Sequence, residues 1–435
     1  MNIRFFSKII PFFIVIFLIS CQSGDKSDSL AIQPTSPVEQ IAEVQSITPE
    51  QEPTQEVSPT SLPSATQLPT ATQTEVPVQP ARGIILFIGD GMGANHRLAA
   101  QYVQYGLDGN LVIDLLPVHG SVITQGASDT VTDSAASATA YATGVQTFNK
   151  FLSIDPEGNH LETILEQAQA LGWSTGLVTS VSITHATPAA FASHIDHRNK
   201  EKEIAVQMMD HDLDVLLGGG ENFLLPRSDE VGCYPGKGQR QDGLDLIMLE
   251  KLEGVEFVCT AKALANLDLT NVDRLMGIFG DDGMKQPYSP TLAEMTEAAL
   301  EVLSKNPNGF FLMVEAGQID WESHDNESEL AIQLTLGFDQ AVASAISFTA
   351  DNPEVLLIVT ADHETGGLSL NMECDGSYRQ DGPFTAAGGE SFCVDWEGGK
   401  HTGANVPLTA IGPFSELLSG EYNNTWVYHV MHAVL

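Results

Sequence analysis

From residue 83 onward the chain is punctuated by short, nearly continuous apolar runs: Gly83–Ile88, Ser174–Val178, Gly309–Val314, Val355–Val359 and Pro407–Ile411. Unbroken apolar character over five or six residues suits strands buried on both faces, as in a parallel sheet. Between these runs, Leu161–Leu171 and Leu292–Leu303 repeat their apolar residues with the helical period. The alternation predicts an α/β domain with a mostly parallel central sheet and helices on both faces. In such sheets the residues that handle ligands gather beyond the carboxyl ends of the strands. Asp90 follows the first run, Glu315 follows the third, and Asp362 and His363 follow the fourth. His401 precedes the last run, in the Gly-rich loop Gly398–Gly403.

A further β-type run, Gly120–Thr124, leads through a polar turn to Asp133 and Ser134, followed by a helix of Ala, Ser and Thr. Ser134 is predicted as the N-cap of that helix, where free backbone N–H groups and the helix dipole favour an arriving phosphate. Asp320 and His324 lie four residues apart, so both can face one way on a helical turn. Asp362 and His363 are adjacent, and His401 would close the set. Carboxylate and imidazole in this mixture suit zinc. His119, His160, His211, His429 and His432 stand outside these patterns and read as surface or core residues.

The N-terminus has a different character. Arg4 and Lys8 precede an apolar stretch, Ile9–Ile19, too short to span a bilayer comfortably. Residues 1–20 therefore read as a signal peptide. Leu18-Ile19-Ser20-Cys21 resembles a lipoprotein cleavage box, which makes Cys21 the lipidated first residue of the mature chain and the lipid the only membrane anchor. Residues 21–81 are rich in Pro, Thr, Ser, Gln and Glu, the composition of an extended tether. The net charge of −38 over 435 residues argues against duplex nucleic acid or anionic lipid as a partner. A phosphate site on such a chain must be made locally positive by metal ions or Arg. Outside the cytoplasm, Cys233, Cys259, Cys374 and Cys393 favour disulfides. Three connectivities are open, and proximity in sequence favours Cys233–Cys259 and Cys374–Cys393.

Ile88–Gly93, Val131–Thr139, His185–Ala189, Val314-Glu315, Ile319-Asp320 with His324, Thr360–His363 and His401–Gly403 together resemble the alkaline phosphatase family, in that family's order, from about residue 82 to the C-terminus. The resemblance implies hydrolysis of phosphate monoesters through a phosphoserine at Ser134. It implies one zinc on Asp320, His324 and His401, and a second on Asp90, Asp362 and His363 with Ser134 on its open side. Magnesium would share Asp90 and take Thr187 and Glu315. Arg198 stands where the family keeps its phosphate-binding Arg. His185 and Trp321 depart from the best-known bacterial pattern, which has Asp and Lys there, and this puts magnesium affinity in question. The resemblance further implies a catalytic domain over 82–435, a disulfide-tied rim insertion at 364–400, another appended region over 220–290, and a homodimer. Two rival readings are a phosphodiesterase or sulfatase of the same superfamily, and a non-catalytic, surface-tethered phosphate- or metal-binding protein. The Cys/Ser-x-Pro-x-Arg setting of sulfatases is absent around Ser134.

Overall fold

The structure, a computed structural model, describes residues 81–227, 232–235 and 237–435. The expected leader, Cys21 and all but the last residue of the tether lie outside the described residues.

Eight strands in chain order are β1 (Gly83–Gly89), β2 (Val118–Ile123), β3 (Ser174–Ser182), β4 (Val215–Gly219), β5 (Glu256–Val258), β6 (Leu275–Ile278), β7 (Phe310–Ala316) and β8 (Val355–Thr360). With the strands Val406–Ile411 and Gly420–Asn423 they form one ten-stranded sheet. Its spatial order is Gly420–Asn423, β2, Val406–Ile411, β8, β1, β7, β3, β4, β6, β5. The expected apolar runs all appear as strands, but the last one does not run parallel. Val406–Ile411 pairs antiparallel with both β8 and β2. The reason is topological: after β8 the chain stays at the carboxyl end of the sheet through His401, so it re-enters from that end without a crossover.

Helices Ala94–Tyr105, Leu292–Leu303 and Ser328–Asp351 cover one face, and Ile164–Ala170 and Ala186–Phe191 cover the other, backed by Ser134–Thr143 and Thr425–Val434. The long Ser328–Asp351 helix buries Phe338, Ala341, Val342 and Ala345, and Phe338 meets Phe87 of β1 edge-on with ring centroids 5.6 Å apart. A large apolar side chain buried in this way contributes about 1.5–3 kcal/mol. β1 is buried along its whole length, which makes it a rigid platform for the residues at its carboxyl end. The helix expected over 161–171 starts later, at Ile164. Thr163 and Glu166 form a capping box, each side chain accepting the other's backbone N–H, and this fixes the first turn.

Both disulfides favoured by proximity are present, Cys233–Cys259 and Cys374–Cys393. Such bonds fit an oxidising, extracytoplasmic setting. No helix among the described residues is long and apolar enough to cross a membrane. Residues 364–400 carry a separate three-stranded antiparallel sheet built from Ser369–Asn371, Ser391–Asp395 and Gln380–Thr385. Residues 220–290 are less of an appendage than expected, because they supply β5 and β6 to the central sheet.

Candidate active site

β1 pairs in parallel with β7 and β8, with Gly89 opposite Ala316 and Ile88 opposite both Glu315 and Thr360. That register brings Asp90, Glu315 and Asp362 out at one end of the three innermost strands. Gly91 turns the chain there with φ +72, and a Cβ on it would come within 2.9 Å of the Asp320 backbone. Glycine therefore serves both the turn and the close approach of the helix that carries Asp320.

The Ser134–Thr143 helix starts one residue earlier than the sequence implies. Asp133, not Ser134, is its N-cap, with its Oδ1 accepting the Ala136 N–H at 3.0 Å. Ser134 is thus the first helical residue, and its side chain is released from capping. Its buried Oγ lies 3.4 Å from Asp90 Oδ2 and 3.4 Å from His363 Nε2.

Hydrogen bonds around the imidazoles fix where their lone pairs point. His324 Nδ1 faces the Gly399 carbonyl at 3.2 Å and His401 Nδ1 the Thr132 carbonyl at 2.9 Å. A carbonyl only accepts, so both Nδ1 atoms carry the proton and both Nε2 atoms carry a lone pair. Those two Nε2 atoms face each other at 3.1 Å, beside Asp320 at 3.3 and 3.5 Å. Thr365 Oγ1 donates to Asp320 Oδ1 at 2.5 Å, which leaves it to accept from His363 Nδ1 at 3.2 Å. His363 Nε2 then also presents a lone pair, 3.5 Å from Asp90 Oδ1 and 3.3 Å from Asp362 Oδ2. Lone pairs aimed at one another and at carboxylates repel unless a cation lies among them.

The carboxylates carry the same message. Burial, then the charges of Asp362, Asp320 and Glu315, push Asp90 far above its ordinary pKa. Burial and the Asp320 charge push Asp362 up to about 7. Burial, reinforced by His401, drives His363 well below the usual imidazole range. Burial also acts to raise Asp320, but the imidazoles of His324, His363 and His401, which attract the carboxylate whenever they are protonated, outweigh it and hold that carboxyl low. Buried and without any hydrogen-bond partner are Asp90 Oδ1, Asp362 Oδ2, Glu315 Oε1, Thr187 Oγ1 and His185 Nδ1. Bound divalent cations would both neutralise and coordinate this set. Around Ser134, three groupings of the described residues have donor atoms mutually within 4.8 Å: Asp320 with His363 and His401, Asp90 with Asp362 and His363, and Asp90 with His185 and Glu315. The first two donor sets mix imidazole with carboxylate, as zinc requires. Glu315 adds a carboxylate oxygen beside Asp90, the kind of donor magnesium prefers.

Arg198 approaches from the segment after the Ala186–Phe191 helix. Its Nη1 lies 3.4 Å from Asp133 Oδ2 and its Nη2 lies 2.9 Å from His185 Nε2. Trp321 packs edge-on against the His185 ring, centroids 6.0 Å apart. These contacts link Asp90, Ser134, His185, Arg198, Glu315, Asp320, Trp321, His324, Asp362, His363 and His401, while Thr187 is buried with its hydroxyl unpartnered. Two contributors are not apparent from sequence: Thr365, which links Asp320 to His363, and Thr179, whose hydroxyl donates to Glu315 Oε2 at 2.5 Å. Thr365 stands two residues after His363, which is a weak signal. Thr179 lies within a strand and gives none.

The alkaline phosphatase family model matches residues 81–387. Alkaline phosphatase 3 of Bacillus subtilis strain 168 is 31% identical over 422 residues, covering 79% of this chain and 87% of the relative. Alkaline phosphatase of Escherichia coli K12 is 31% identical over 426 residues, covering 82% of this chain and 86% of the relative. Among solved structures, alkaline phosphatase from the Antarctic bacterium TAB5 superposes with a TM-score of 0.71 at 29% identity, covering 82% of this chain and 98% of that one. A histidine-to-aspartate variant of that enzyme, solved with magnesium in its M3 site, matches with a TM-score of 0.69.

Proposed function

Since the chain belongs to the alkaline phosphatase family, an enzyme family whose chemistry is the hydrolysis of phosphate monoesters, we propose that it performs that hydrolysis through a phosphoserine at Ser134. The observation that carries this reading is the position of Ser134. Its hydroxyl is buried, free of capping, and 3.4 Å from both Asp90 and His363, two members of one cation-binding set. Asp320, His324 and His401 would hold one zinc; Asp90, Asp362 and His363 a second; Asp90, Thr187 and Glu315 a magnesium. These ions, when bound, supply Lewis-acid stabilisation of oxygen charge and favour the deprotonated forms of nucleophiles.

The chain's own residues do the rest. Ser134 Oγ gives up its proton and bonds to phosphorus as the ester P–O bond breaks. The N-terminal N–H groups of the Ser134–Thr143 helix point at the equatorial oxygens. Arg198 presents a planar fork to two of those oxygens, and its charge offsets theirs. Asp133 holds the Arg198 guanidinium from behind, so the fork is oriented before substrate arrives. Water then attacks the phosphoserine, releasing phosphate and returning the proton to Ser134. Substrates are small phosphate monoesters.

The proposal extends to the rest of the chain: export by a signal over residues 1–20, a lipid anchor on Cys21, a tether to residue 81, a rim formed by residues 364–400, and a homodimer. The direct test of the chemistry is hydrolysis of p-nitrophenyl phosphate beside its diester and sulfate analogues, after chelation and after restoring zinc and magnesium. Monoester-selective, zinc-restored activity, with one phosphoryl group trapped on the Ser134 peptide at acid pH, is the expected result. Diester or sulfate preference, or a phosphoryl group trapped elsewhere, would overturn it.

A further inference from the structure

His194, His211 and Glu166 meet away from Ser134, at the junction of three elements. Glu166 lies in the Ile164–Ala170 helix, His194 comes after the Ala186–Phe191 helix, and His211 caps the C-terminus of the Glu201–Asp210 helix. One donor atom from each lies within 4.8 Å of the other two. In sequence His211 is an ordinary histidine, and neither Glu166 nor His194 belongs to a motif that carries the family resemblance.

The local bonding repeats the pattern seen around His324 and His401. His194 Nδ1 lies 2.8 Å from the Ser153 carbonyl, so that nitrogen carries the proton. Its Nε2 is left facing Glu166 Oε1 at 3.1 Å. The two oxygens of Glu166 have separate work: Oε2 accepts the Thr163 N–H of the capping box, and Oε1 is aimed at the imidazoles. The His194 ring is further fixed by His160, which stacks on it with centroids 4.8 Å apart and planes 12° from parallel. A histidine whose Nδ1–H is committed to a carbonyl while Nε2 faces a carboxylate is built as metal ligands usually are. The alternative filling is a proton on His194 shared with Glu166, a single ion pair that makes no use of His211.

We propose that Glu166, His194 and His211 bind a further zinc ion, separate from the ions around Ser134. Two imidazoles and one carboxylate are a zinc donor set, and solvent completes the fourth position on this half-exposed surface. Tetrahedral ligands at zinc sit roughly 3.3 Å apart, so from within 4.8 Å of one another the three donors need to close by at most about 1.5 Å. The ion would add a staple to three elements already joined by hydrogen bonds such as those from Gln169 Nε2 to the His211 carbonyl and from the His194 N–H to Gln207 Oε1. One of them is the segment leading to Arg198, whose backbone N–H is held by the Lys150 carbonyl at 2.9 Å. The site would thus brace the loop that presents the guanidinium.

The test is zinc stoichiometry of the full chain, stripped with chelator and dialysed against zinc with magnesium present. His211→Ala is expected to bind one zinc fewer per chain than the unaltered protein. Glu166→Gln guards against a folding artefact, because its amide oxygen can still accept the Thr163 N–H. It is expected to weaken the same zinc at least tenfold. His401→Ala, which touches only the other grouping, is expected to retain this ion, so loss of the site near Ser134 is read separately. Equal zinc in the unaltered protein, His211→Ala and Glu166→Gln would overturn the proposal. So would retention of the ion at unaltered affinity in Glu166→Gln, even with His211→Ala unfolded.

Discussion

Arg198 Nη2 lies 2.9 Å from Nε2 of His185, and a guanidinium can only donate. His185 therefore carries its proton on Nδ1, the nitrogen that faces Glu315 Oε1 at 3.9 Å. Two tasks compete for one ring: accepting from Arg198, or lending the Nδ1 lone pair to a cation beside Asp90 and Glu315. An Asp at this position escapes the conflict, since one carboxylate can accept from Arg198 and still face a cation. His185→Asp is expected to tighten magnesium binding about tenfold or more. Equilibrium dialysis with magnesium at limiting concentration measures this, and unchanged retention would remove the competition from the account.

Ser134→Ala is expected to lower kcat for p-nitrophenyl phosphate by at least about 1,000-fold. Metal content should stay the same, because Asp90, Asp362 and His363 form a three-ligand set without Ser134. Residual activity within tenfold of the unaltered enzyme would assign the nucleophile elsewhere.

Arg198→Lys keeps the charge and loses the fork. Charge-assisted hydrogen bonds are worth about 1.5–3 kcal/mol, so inhibition by inorganic phosphate should weaken roughly 10- to 100-fold. A matched loss in Asp133→Ala, which leaves Arg198 in place but removes its 3.4 Å partner, would show that orientation contributes as well as charge.

His96 offers a pH test away from the metal ligands. It is buried, accepts the Gly93 N–H on Nδ1 at 3.2 Å and pairs through Nε2 with Ser323 Oγ at 2.9 Å. Burial lowers its pKa to about 4, against an opposing pull from Asp320. Between about 6.5 and 4 the unfolded chain binds a proton that the folded chain refuses, so stability falls as pH drops through that window and levels off below it. The loss from this residue is about 3 kcal/mol. Chelated protein bearing His96→Asn should show a flatter dependence over that range in denaturant titrations, and an equally steep one would acquit His96.

Replacing Cys374 and Cys393 by Ser removes a link between residues 19 apart in sequence, a loop worth up to about 3 kcal/mol. Because His401 enters its strand directly after the segment this bond pins, melting temperature should fall and zinc should dissociate faster on chelation. A change in melting alone would confine the bond to structural support.

The strand platform is legible in the sequence because β1, β7 and β8 are unbroken apolar runs, and the groups just past their ends follow from that architecture. Val406–Ile411 reads as parallel for the same reason, since apolar continuity reports burial on both faces but not direction. β5 gives no signal because Glu256–Val258 is three residues long with an exposed Glu. The Asp133 cap is hidden by its neighbour, as both Asp and Ser are good N-caps and only the backbone decides between them. The hydrogen bond from Arg198 to His185, and the meeting of Glu166 with His194 and His211, depend on packing between elements and leave no local trace.

The pairing of Gly91 N–H with Asp362 Oδ1 at 3.1 Å joins residues 271 positions apart. β1 has its two sheet neighbours, β7 and β8, both in the far half of the chain. When only the first half has been synthesised, β1 has no strand to pair with and Asp90 has none of the partners that make it a ligand except Ser134 and His185. No ion can be captured beside Ser134 early, so the nascent chain carries those ligands through synthesis uncommitted. The metals that enter beside Ser134 are those of the medium in which β1 finally meets β7 and β8.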